Sequence, residues 1–490
     1  MYAFTNRAAS AFDAPVVGRP LIVVVDRAHL HDDVALRLLL EIAEQQHLHL
    51  LTLDPHDGFP TLKVGDYVES RDYYAVEYDS WSQGARITGV WGGAAWRRHA
   101  EEESHEHGMD QASVLSCLLL MRASTVIGAD AIVSDRPGIL SPSWRGQLAQ
   151  AGWRSAADVL ALGALLGRSR GSYVWRRPAA NVMESIPRHR YFVVATRQAL
   201  PASWRLTNAC DQHFGAALKP MPISLAATAL DRVAQVLPIR DELLVAHQRE
   251  VSDDTAFDIR RHLDTLLWCW SAAFDAVARV AHLVYALPAN KLSTASWRKA
   301  SWVNQLGDDR LASLVATGTV GRAVLDISFP LRHTIHGEGL SAQTYMIDRG
   351  YATLTSSASA NKRWDVVPEA LQVAADHVHV PRAVYSTELA APIAALGGGA
   401  RWGVDAESDT HVSIEPATFC ERLMPHALAT LNTLMATIAV ERLAGVSETK
   451  LDADPPVGVP ALQADQGARW NALLGLTTLG ESACRATATD

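Results

Sequence analysis

Residues 21–26 read LIVVVD, a run of β-branched and aliphatic side chains that stops at Asp26. An apolar run of this length without alternation is typical of a strand buried on both faces of a parallel sheet. A helical pattern over residues 31–46 follows, and it leads to a second apolar run at residues 48–53. The order strand, helix, strand predicts an N-terminal α/β domain.

The same domain has a second strand that ends in an acid. Residues 110–126 predict a strong helix, which Gly128 should terminate, and residues 129–134 predict a strand that leads to Asp135. Residues 135–138, Asp-Arg-Pro-Gly, predict a turn. Residues 54–90 are polar, aromatic and acidic, and they indicate a hairpin or an insertion.

The pattern changes beyond residue 225, where long helical periodicities dominate. We expect an α/β N-terminal domain with a parallel sheet, followed by a mainly α-helical bundle domain that carries a β/loop insertion. The predicted helices of the second domain cover residues 255–287, 310–317, 321–331 and 416–443. The predicted boundaries are 1–160 for the α/β domain, 161–224 for an Arg-rich junction, 225–450 for the helical domain with its insertion at 338–415, and 451–490 for a tail.

Composition limits the class of protein. The chain has 490 residues, of which 48% are hydrophobic and 20% charged, which is typical of a folded globular protein. We see neither an apolar run near the ~20 residues of a membrane span nor a basic and apolar leader, so we expect a cytoplasmic protein without a membrane segment. A net charge of −9 argues against a general polyanion binder. The five cysteines are far apart and form no CxxC pair, which favours buried reduced thiols over a zinc site.

Asp26 and Asp135 each come directly after a predicted strand. Because the carboxyl ends of parallel strands meet at one edge of the sheet, the two carboxylates could share Mg²⁺ or Mn²⁺. Asp110 is our choice for a third acidic ligand. Four glutamates of one segment are alternatives: Glu101, Glu102, Glu103 and Glu106. The competing interpretation is that each Asp is a helix cap or turn residue.

Residues 123–135, ASTVIGADAIVSD, resemble the end of PIN-domain nucleases, where a helix leads through a Gly-Ala turn into a strand with a metal-binding Asp. Residues 21–26 are similar to the opening strand and first Asp of that family. The resemblance implies metal-dependent cleavage of single-stranded RNA, with Asp26 and Asp135 as ligands and Asp110 in the helical acidic role. The insertion at 54–100 departs from the family.

Residues 331–338, LRHTIHGE, resemble the signature of HEPN-type helical domains, in which an Arg and a downstream His lie at a helix end. The resemblance implies that Arg332 holds a phosphate and that His336 acts as acid or base, in a homodimer formed through the helical domain. The interval between them is shorter than in active members, which favours a structural or binding role. Metal-independent cleavage through His336 is a further hypothesis.

An Arg-rich stretch separates the two predicted domains. Residues 168–205 contain eight arginines against one acid, Glu184, with five aromatic residues between them. Cationic and aromatic side chains together suit a phosphate backbone with stacked bases, so RNA is the predicted partner of this stretch. A solvated edge or a domain interface is the alternative.

Three other motifs are weak. The acidic and His-rich residues 99–107 indicate a solvated loop or helix start, the Gly-rich residues 397–403 a flexible turn, and the GxSxG match at 167–171 a chance occurrence. The leading hypothesis is a metal-dependent endoribonuclease-like protein, with a role in stress, toxicity or defence. The alternative is a non-catalytic interaction or regulatory protein built on degenerate nuclease-like domains.

Overall fold

The computed structural model divides into two compact units. The first comprises Met1–Ile186, Gln248–Glu250 and Leu479–Asp490, and the second comprises Pro187–His247 and Val251–Thr478. One of the boundaries between the units, at Ile186 and Pro187, falls inside the segment 161–224. The structure describes residues 20–31, 34–42, 47–53, 59–136, 152–153, 156–170, 172–177, 182–215, 217–248, 253–336, 341–347, 350–356, 382–386, 396, 404–408, 411–414, 416–447 and 451.

The first unit alternates strands and helices. Its elements in chain order are β1 (Leu21–Val25), α1 (Val34–Ile42), β2 (Leu48–Thr52), β3 (Leu62–Val68), β4 (Tyr73–Ser80), β5 (Gly84–Trp91), α2 (Gly93–His107), α3 (Gln111–Ile127), β6 (Ala131–Val133), β7 (Gly152–Trp153), α4 (Ala156–Arg170), β8 (Ser172–Arg177) and β9 (Val182–Pro187). The predicted strands at 21–25 and 48–53 are confirmed, and the strand predicted at 129–134 is shorter.

A four-stranded parallel sheet organises this unit, in the order β2-β1-β6-β7. β1 is central, and all five of its residues are buried, which explains its continuous apolar sequence. Val25 pairs with Thr52 on one side and with Val133 on the other. The chain therefore leaves β1 and β6 at the same edge of the sheet.

The helix α3 begins and ends where its sequence predicts. Asp110 caps its first turn, since the side chain accepts a hydrogen bond from the backbone N–H of Ser113 at 2.9 Å. Gly128 ends it in the left-handed conformation, with φ 78°, and donates to the carbonyls of Ser124 and Thr125. The buried face of α3, with Val114 and Leu118, packs in the same core as Ile22 and Val24 of β1.

The segment predicted as a hairpin or insertion is an antiparallel sheet of β3, β4 and β5. One face contributes Leu62, Tyr74, Val76 and Val90 to the core of the first unit. The helix α2 follows, and it contains residues 99–107, which the sequence indicated only as a loop or helix start.

The second unit is mostly helical. Its elements are α5 (Arg188–Ala199), α6 (Ala202–Cys210), α7 (Pro220–Gln248), α8 (Asp253–Val284), α9 (Ala300–Gln305), α10 (Asp309–Leu314), α11 (Val320–His336), β10 (Ser341–Ile347), β11 (Gly350–Ser356), β12 (Arg382–Ser386), β13 (Val404–Ser408), β14 (His411–Ile414) and α12 (Pro416–Thr437). The five strands pair in the order β10-β11-β12-β14-β13. A small parallel sheet at the N-terminus with mostly helical structure after it is thus confirmed.

The long helix α8 lies in the core of the second unit. Its Trp270 and Phe274 are fully buried, and the carbonyl of Phe274 accepts a hydrogen bond from the indole N–H of Trp297 at 3.1 Å. Residues Phe419–Arg442 are long and apolar enough to cross a membrane by length and composition, and 61% of their most apolar window is buried inside the protein. The core helix of a folded domain has the same properties.

Candidate functional site

Asp26 lies at the carboxyl edge of the parallel sheet, directly after β1. Its backbone N–H donates to the carbonyl of Val133 at 2.9 Å, which joins the end of β1 to the end of β6. Only 1% of its side chain is exposed. A carboxylate buried to this degree requires hydrogen-bond partners or a counter-ion, because burial strongly disfavours an isolated charge.

Three side chains supply those partners. The hydroxyl of Ser134 donates to Oδ2 of Asp26 at 2.8 Å. The guanidinium of Arg136 contacts both oxygens, through Nε to Oδ2 and through Nη2 to Oδ1 at 3.4 Å. Nδ1 of His29 lies 3.1 Å from Oδ1 and is the donor there, because an ionised carboxylate only accepts. Both oxygens of Asp26 are therefore engaged.

Arg136 joins three elements at this edge. Besides its contacts to Asp26, its Nη1 donates to the hydroxyl of Ser116 on α3 at 2.5 Å. Its backbone N–H donates to the hydroxyl of Ser134 at 3.2 Å. Its side chain is 17% exposed, so the guanidinium is largely withdrawn from water. The resulting bidentate ion pair fixes the end of β1 against α3 and the segment after β6.

The partners determine the charge of Asp26. Burial acts to raise the pKa of its carboxyl, but the hydrogen bonds from Arg136, Ser134 and His29, with the charge of Arg136, outweigh burial and lower the pKa below its ordinary value of 3.8. Asp26 is therefore ionised at neutral pH. A carboxylate with a lowered pKa and occupied oxygens is a poor general base.

The other two predicted acids have different surroundings. Asp110 is exposed and serves as the N-cap of α3, where its hydrogen bonds with Ser113 lower the pKa of its carboxyl. Asp135 is exposed, and its backbone N–H donates to the carbonyl of His29 at 3.0 Å. The backbones of Asp26 and Asp135 thus lie at one edge of the sheet, as predicted. Asp110 is a helix cap, which was the competing interpretation of this residue.

The donor set at this edge does not fit a divalent cation. Mg²⁺ and Mn²⁺ require free carboxylate oxygens, whereas those of Asp26 already contact the cationic Arg136. Within the part of the chain that the structure describes, no three His, Cys, Asp or Glu side chains form a group that could hold a metal ion. Asp26, Asp110 and Asp135 therefore do not form a three-ligand group in this arrangement.

The alternative acidic ligands lie on α2. The backbones of Glu101, Glu102, Glu103 and Glu106 are all helical there. His99 approaches Glu102 at 3.9 Å and Glu103 at 3.7 Å, as residues three and four apart do on one helix face. These contacts are local to the helix surface.

Arg332 and His336 lie near the end of α11, whose last residue is His336. This backbone placement agrees with the predicted position at a helix end. Their side chains lie outside the described residues, as do those of five of the eight arginines of the Arg-rich stretch. The Gly-rich residues 397–403 also lie outside them.

Three arginines of the Arg-rich stretch have described side chains, and each is buried or contacts another residue of the protein. Arg168 is buried. The guanidinium of Arg197 lies 5.3 Å from the ring centre of Trp204. Arg205 donates to the carbonyl of Ala436 at 3.2 Å and to Glu441 at 3.3 Å. RNA binding by this stretch stays a prediction, and so does the alternative of a solvated edge or a domain interface.

Sequence reasoning missed the partners of Asp26. Arg136 was assigned only to a turn, and Ser116, Ser134 and His29 were given no role. The available signal was a basic residue immediately after a strand-terminal acid, together with a hydroxyl residue at the same strand end. Comparisons of the chain with protein-family models, curated proteins and solved structures find no match.

Proposed function

We propose that this chain is a non-catalytic interaction or regulatory protein, built on a PIN-like α/β domain and a HEPN-like helical bundle domain with an insertion. In this proposal the acidic edge of the parallel sheet has become a structural centre. The protein then acts by binding rather than by cleaving a phosphodiester.

The ion pair between Asp26 and Arg136 carries this proposal. A nuclease of the resembled type needs the first strand-terminal Asp free to bind a cation, whereas here a guanidinium occupies both of its oxygens. Displacement of Arg136 would leave a carboxylate that is 1% exposed with only Ser134 and His29 as hydrogen-bond donors. Breaking a buried ion pair in this way costs about 3–5 kcal/mol, which opposes spontaneous opening of the site.

An exposed apolar surface supports a binding role. Ile87 and Trp91 lie on one face of β5 and are 75% and 66% exposed. The ring of Trp91 contacts that of Tyr73 on the neighbouring strand, with centres 5.1 Å apart. Trp81, in the turn between β4 and β5, is also exposed. Ile87 and the Trp91–Tyr73 pair lie on the same face of the sheet, and exposed apolar side chains that share a face support an interaction surface.

A cleavage assay tests the proposal. The purified full chain is incubated with end-labelled single-stranded RNA in Mg²⁺, in Mn²⁺ and in EDTA, beside Asp26→Asn and Asp135→Asn variants whose folding is checked by circular dichroism. We expect that neither Mg²⁺ nor Mn²⁺ stimulates cleavage by the wild type, and that the two variants behave like the wild type. Metal-dependent cleavage that disappears in both variants would overturn the proposal.

A metal-dependent endoribonuclease is the second candidate function. The observation that favours it is that Asp26 and Asp135 follow the adjacent parallel strands β1 and β6. In that candidate Asp26, Asp110 and Asp135 would hold Mg²⁺ or Mn²⁺, and RNA would bind along residues 168–205. Cleavage that persists in EDTA and is lost in His336→Ala would instead favour the HEPN-centred hypothesis, with a homodimer through the helical domain.

A further inference from the structure

A cavity of about 420 Å³ lies in the second unit. Four segments of the chain form it: α8, the short 3-10 helix Ala289–Thr294, the loop that follows this helix, and α11. Its volume falls in the range of roughly 300–1,000 Å³ that is usual for small-molecule sites.

Cationic side chains dominate the lining. Arg279, Arg298, Lys299 and Arg322 face the cavity, and among the lining residues that the structure describes Asp275 is the one acid. Asp326, behind the lining, neutralises part of this charge, because it pairs with both Arg298 and Arg322. Positive charge still exceeds negative charge by two, in a chain whose net charge is −9. The cavity is therefore a local site of positive potential.

Arg298 and Arg322 are held in place by hydrogen bonds, and each keeps further N–H donors that can bind a ligand. Asp326 accepts from Nε of Arg322 at 2.8 Å and from Nε of Arg298 at 3.3 Å. Nη1 of Arg322 donates to the carbonyl of Arg298 at 3.2 Å. Nη2 of Arg322 and both Nη atoms of Arg298 make no hydrogen bond with the residues that the structure describes. Donors fixed in this way lose little freedom when they bind an anion.

Four further lining residues that can donate hydrogen bonds are also available. Arg279 and Lys299 are exposed and make no side-chain hydrogen bond or ion pair with any described residue. The hydroxyls of Ser293 and Ser296 likewise have no hydrogen-bond partner within the described ranges. Both serines line the cavity beside these cations.

This set of donors identifies the class of ligand. Guanidinium groups, an ammonium group and hydroxyls are the groups that bind phosphate oxygens in proteins. An excess of two charges exceeds what a single carboxylate needs. Phe329, which is 5% exposed, adds an apolar wall that suits an organic group next to the phosphates.

We propose that the cavity between α8 and α11 binds a small molecule that carries two or more phosphate charges, such as a diphosphate or a nucleotide. The site lies wholly in the second unit, and it goes beyond the proposed function without resting on it. Asp26 and Arg136 have no part in it.

Isothermal titration calorimetry of the full chain with pyrophosphate, and separately with ATP, tests the proposal. We expect saturable binding at low salt that weakens at high salt. Arg279→Gln and Lys299→Gln should each weaken binding by about tenfold or more, because each removes a charge-assisted hydrogen bond. Because neither side chain makes a hydrogen bond or ion pair with a described residue, the variants should fold. Lys219→Gln, another exposed lysine of the second unit, is the matched control and should bind like the wild type.

The outcomes separate the alternatives. Tighter binding of ATP than of pyrophosphate would indicate that the organic group contacts the apolar wall at Phe329. Equal affinity would indicate that only the phosphates are recognised. Absence of binding by both probes, or an equal loss in Lys219→Gln, would overturn the proposal. Lys299-dependent binding of single-stranded RNA without binding of either small anion would also overturn it. None of these results depends on RNA cleavage, so this inference and the proposed function can fail separately.

Discussion

The acidic centre of the first unit and the cationic cavity of the second both contain aspartate–arginine ion pairs, but the ratio of acid to arginine differs between them. At the sheet edge one arginine and two other donors surround one carboxylate, and Asp26 is 1% exposed. At the cavity, one carboxylate outside the lining, that of Asp326, pairs with two lining arginines, and Asp326 is 30% exposed. The first arrangement completes its own charge balance, whereas the second leaves cationic donors unpaired. A ligand site is therefore indicated by charged groups that are accessible and lack a counter-charge, and a buried charge that is already paired does not indicate one.

Removal of Arg136 should have the largest effect. Arg136→Met leaves the buried Asp26 without its counter-ion, and we expect the free energy of unfolding of the first unit to fall by about 3–5 kcal/mol. Hydrogen exchange of peptides covering β1 and β6 measures this loss locally. Arg122→Met is the control, since Arg122 is an exposed arginine of the same unit, and it should change stability by less than about 0.5 kcal/mol. Equal protection in the two variants would contradict a stabilising ion pair.

The second unit also contains an aspartate that is paired with an arginine, Asp308, and this pair predicts a pH dependence of stability. Burial acts to raise the pKa of Asp308, but hydrogen bonds from Arg310, Tyr285 and the N–H of Leu311 outweigh it and lower the pKa to about 2. Because the folded-state pKa lies below the ordinary 3.8, the unfolded state binds more protons in acid. The stabilisation is therefore complete above about pH 4 and is lost as the pH falls towards 2.

Asp308→Asn should lower the free energy of unfolding of the second unit by about 1–2 kcal/mol at pH 7, after allowance for solvent screening at the exposed Arg310. Chemical denaturation at pH 7 and pH 3 measures the change, which should be smaller at the lower pH. Asp309→Asn, at the exposed neighbouring acid, should have a smaller effect that varies less with pH. A loss for Asp308→Asn that grows on acidification would contradict this assignment.

Neutralising Asp326, which pairs with two arginines of the cavity lining, should have the smallest effect on stability and should strengthen the binding of anions. Asp326→Asn removes a partly exposed pair, so we expect a change below about 1 kcal/mol in the free energy of unfolding. Pyrophosphate should bind roughly two- to fivefold more tightly, because the positive charge of the cavity increases. Calorimetry measures this, with Asp231→Asn at an exposed acid elsewhere in the unit as the control. Weaker binding in Asp326→Asn would indicate that the acid positions the arginines more than it neutralises them.

The sequence predicted the elements that are determined by residues close together in the chain, such as β1 and α3. The unbroken apolar run of β1, and the Asp110 and Gly128 that bound α3, are visible in sequence because burial and capping act over a few residues. The helix α2 was missed, because its polar residues 99–107 lack an apolar period, and Ala100 is one of the few side chains that it buries. The partner of Asp26 lies 110 residues away in the chain, and no spacing rule connects the two.

The cavity was missed for a similar reason. Its four cations occur between residues 279 and 322 without motif spacing, and only the packing of α8 against α11 brings them together. The Arg-rich stretch attracted the prediction because its arginines are adjacent in sequence. Folding assigns Arg168 to the interior and Arg205 to Glu441. For these two arginines, the density of charge along the chain did not predict which charges stay unpaired.

Binding of Mn²⁺, followed by electron paramagnetic resonance of the free ion, tests whether Asp26 is reserved for Arg136. We expect the wild type and Asp26→Asn to bind the same amount of Mn²⁺ over the whole titration, because the carboxylate oxygens of Asp26 are already occupied. A tight Mn²⁺ site in the wild type that is lost in Asp26→Asn and in Asp135→Asn would contradict this expectation and restore the nuclease as the leading function.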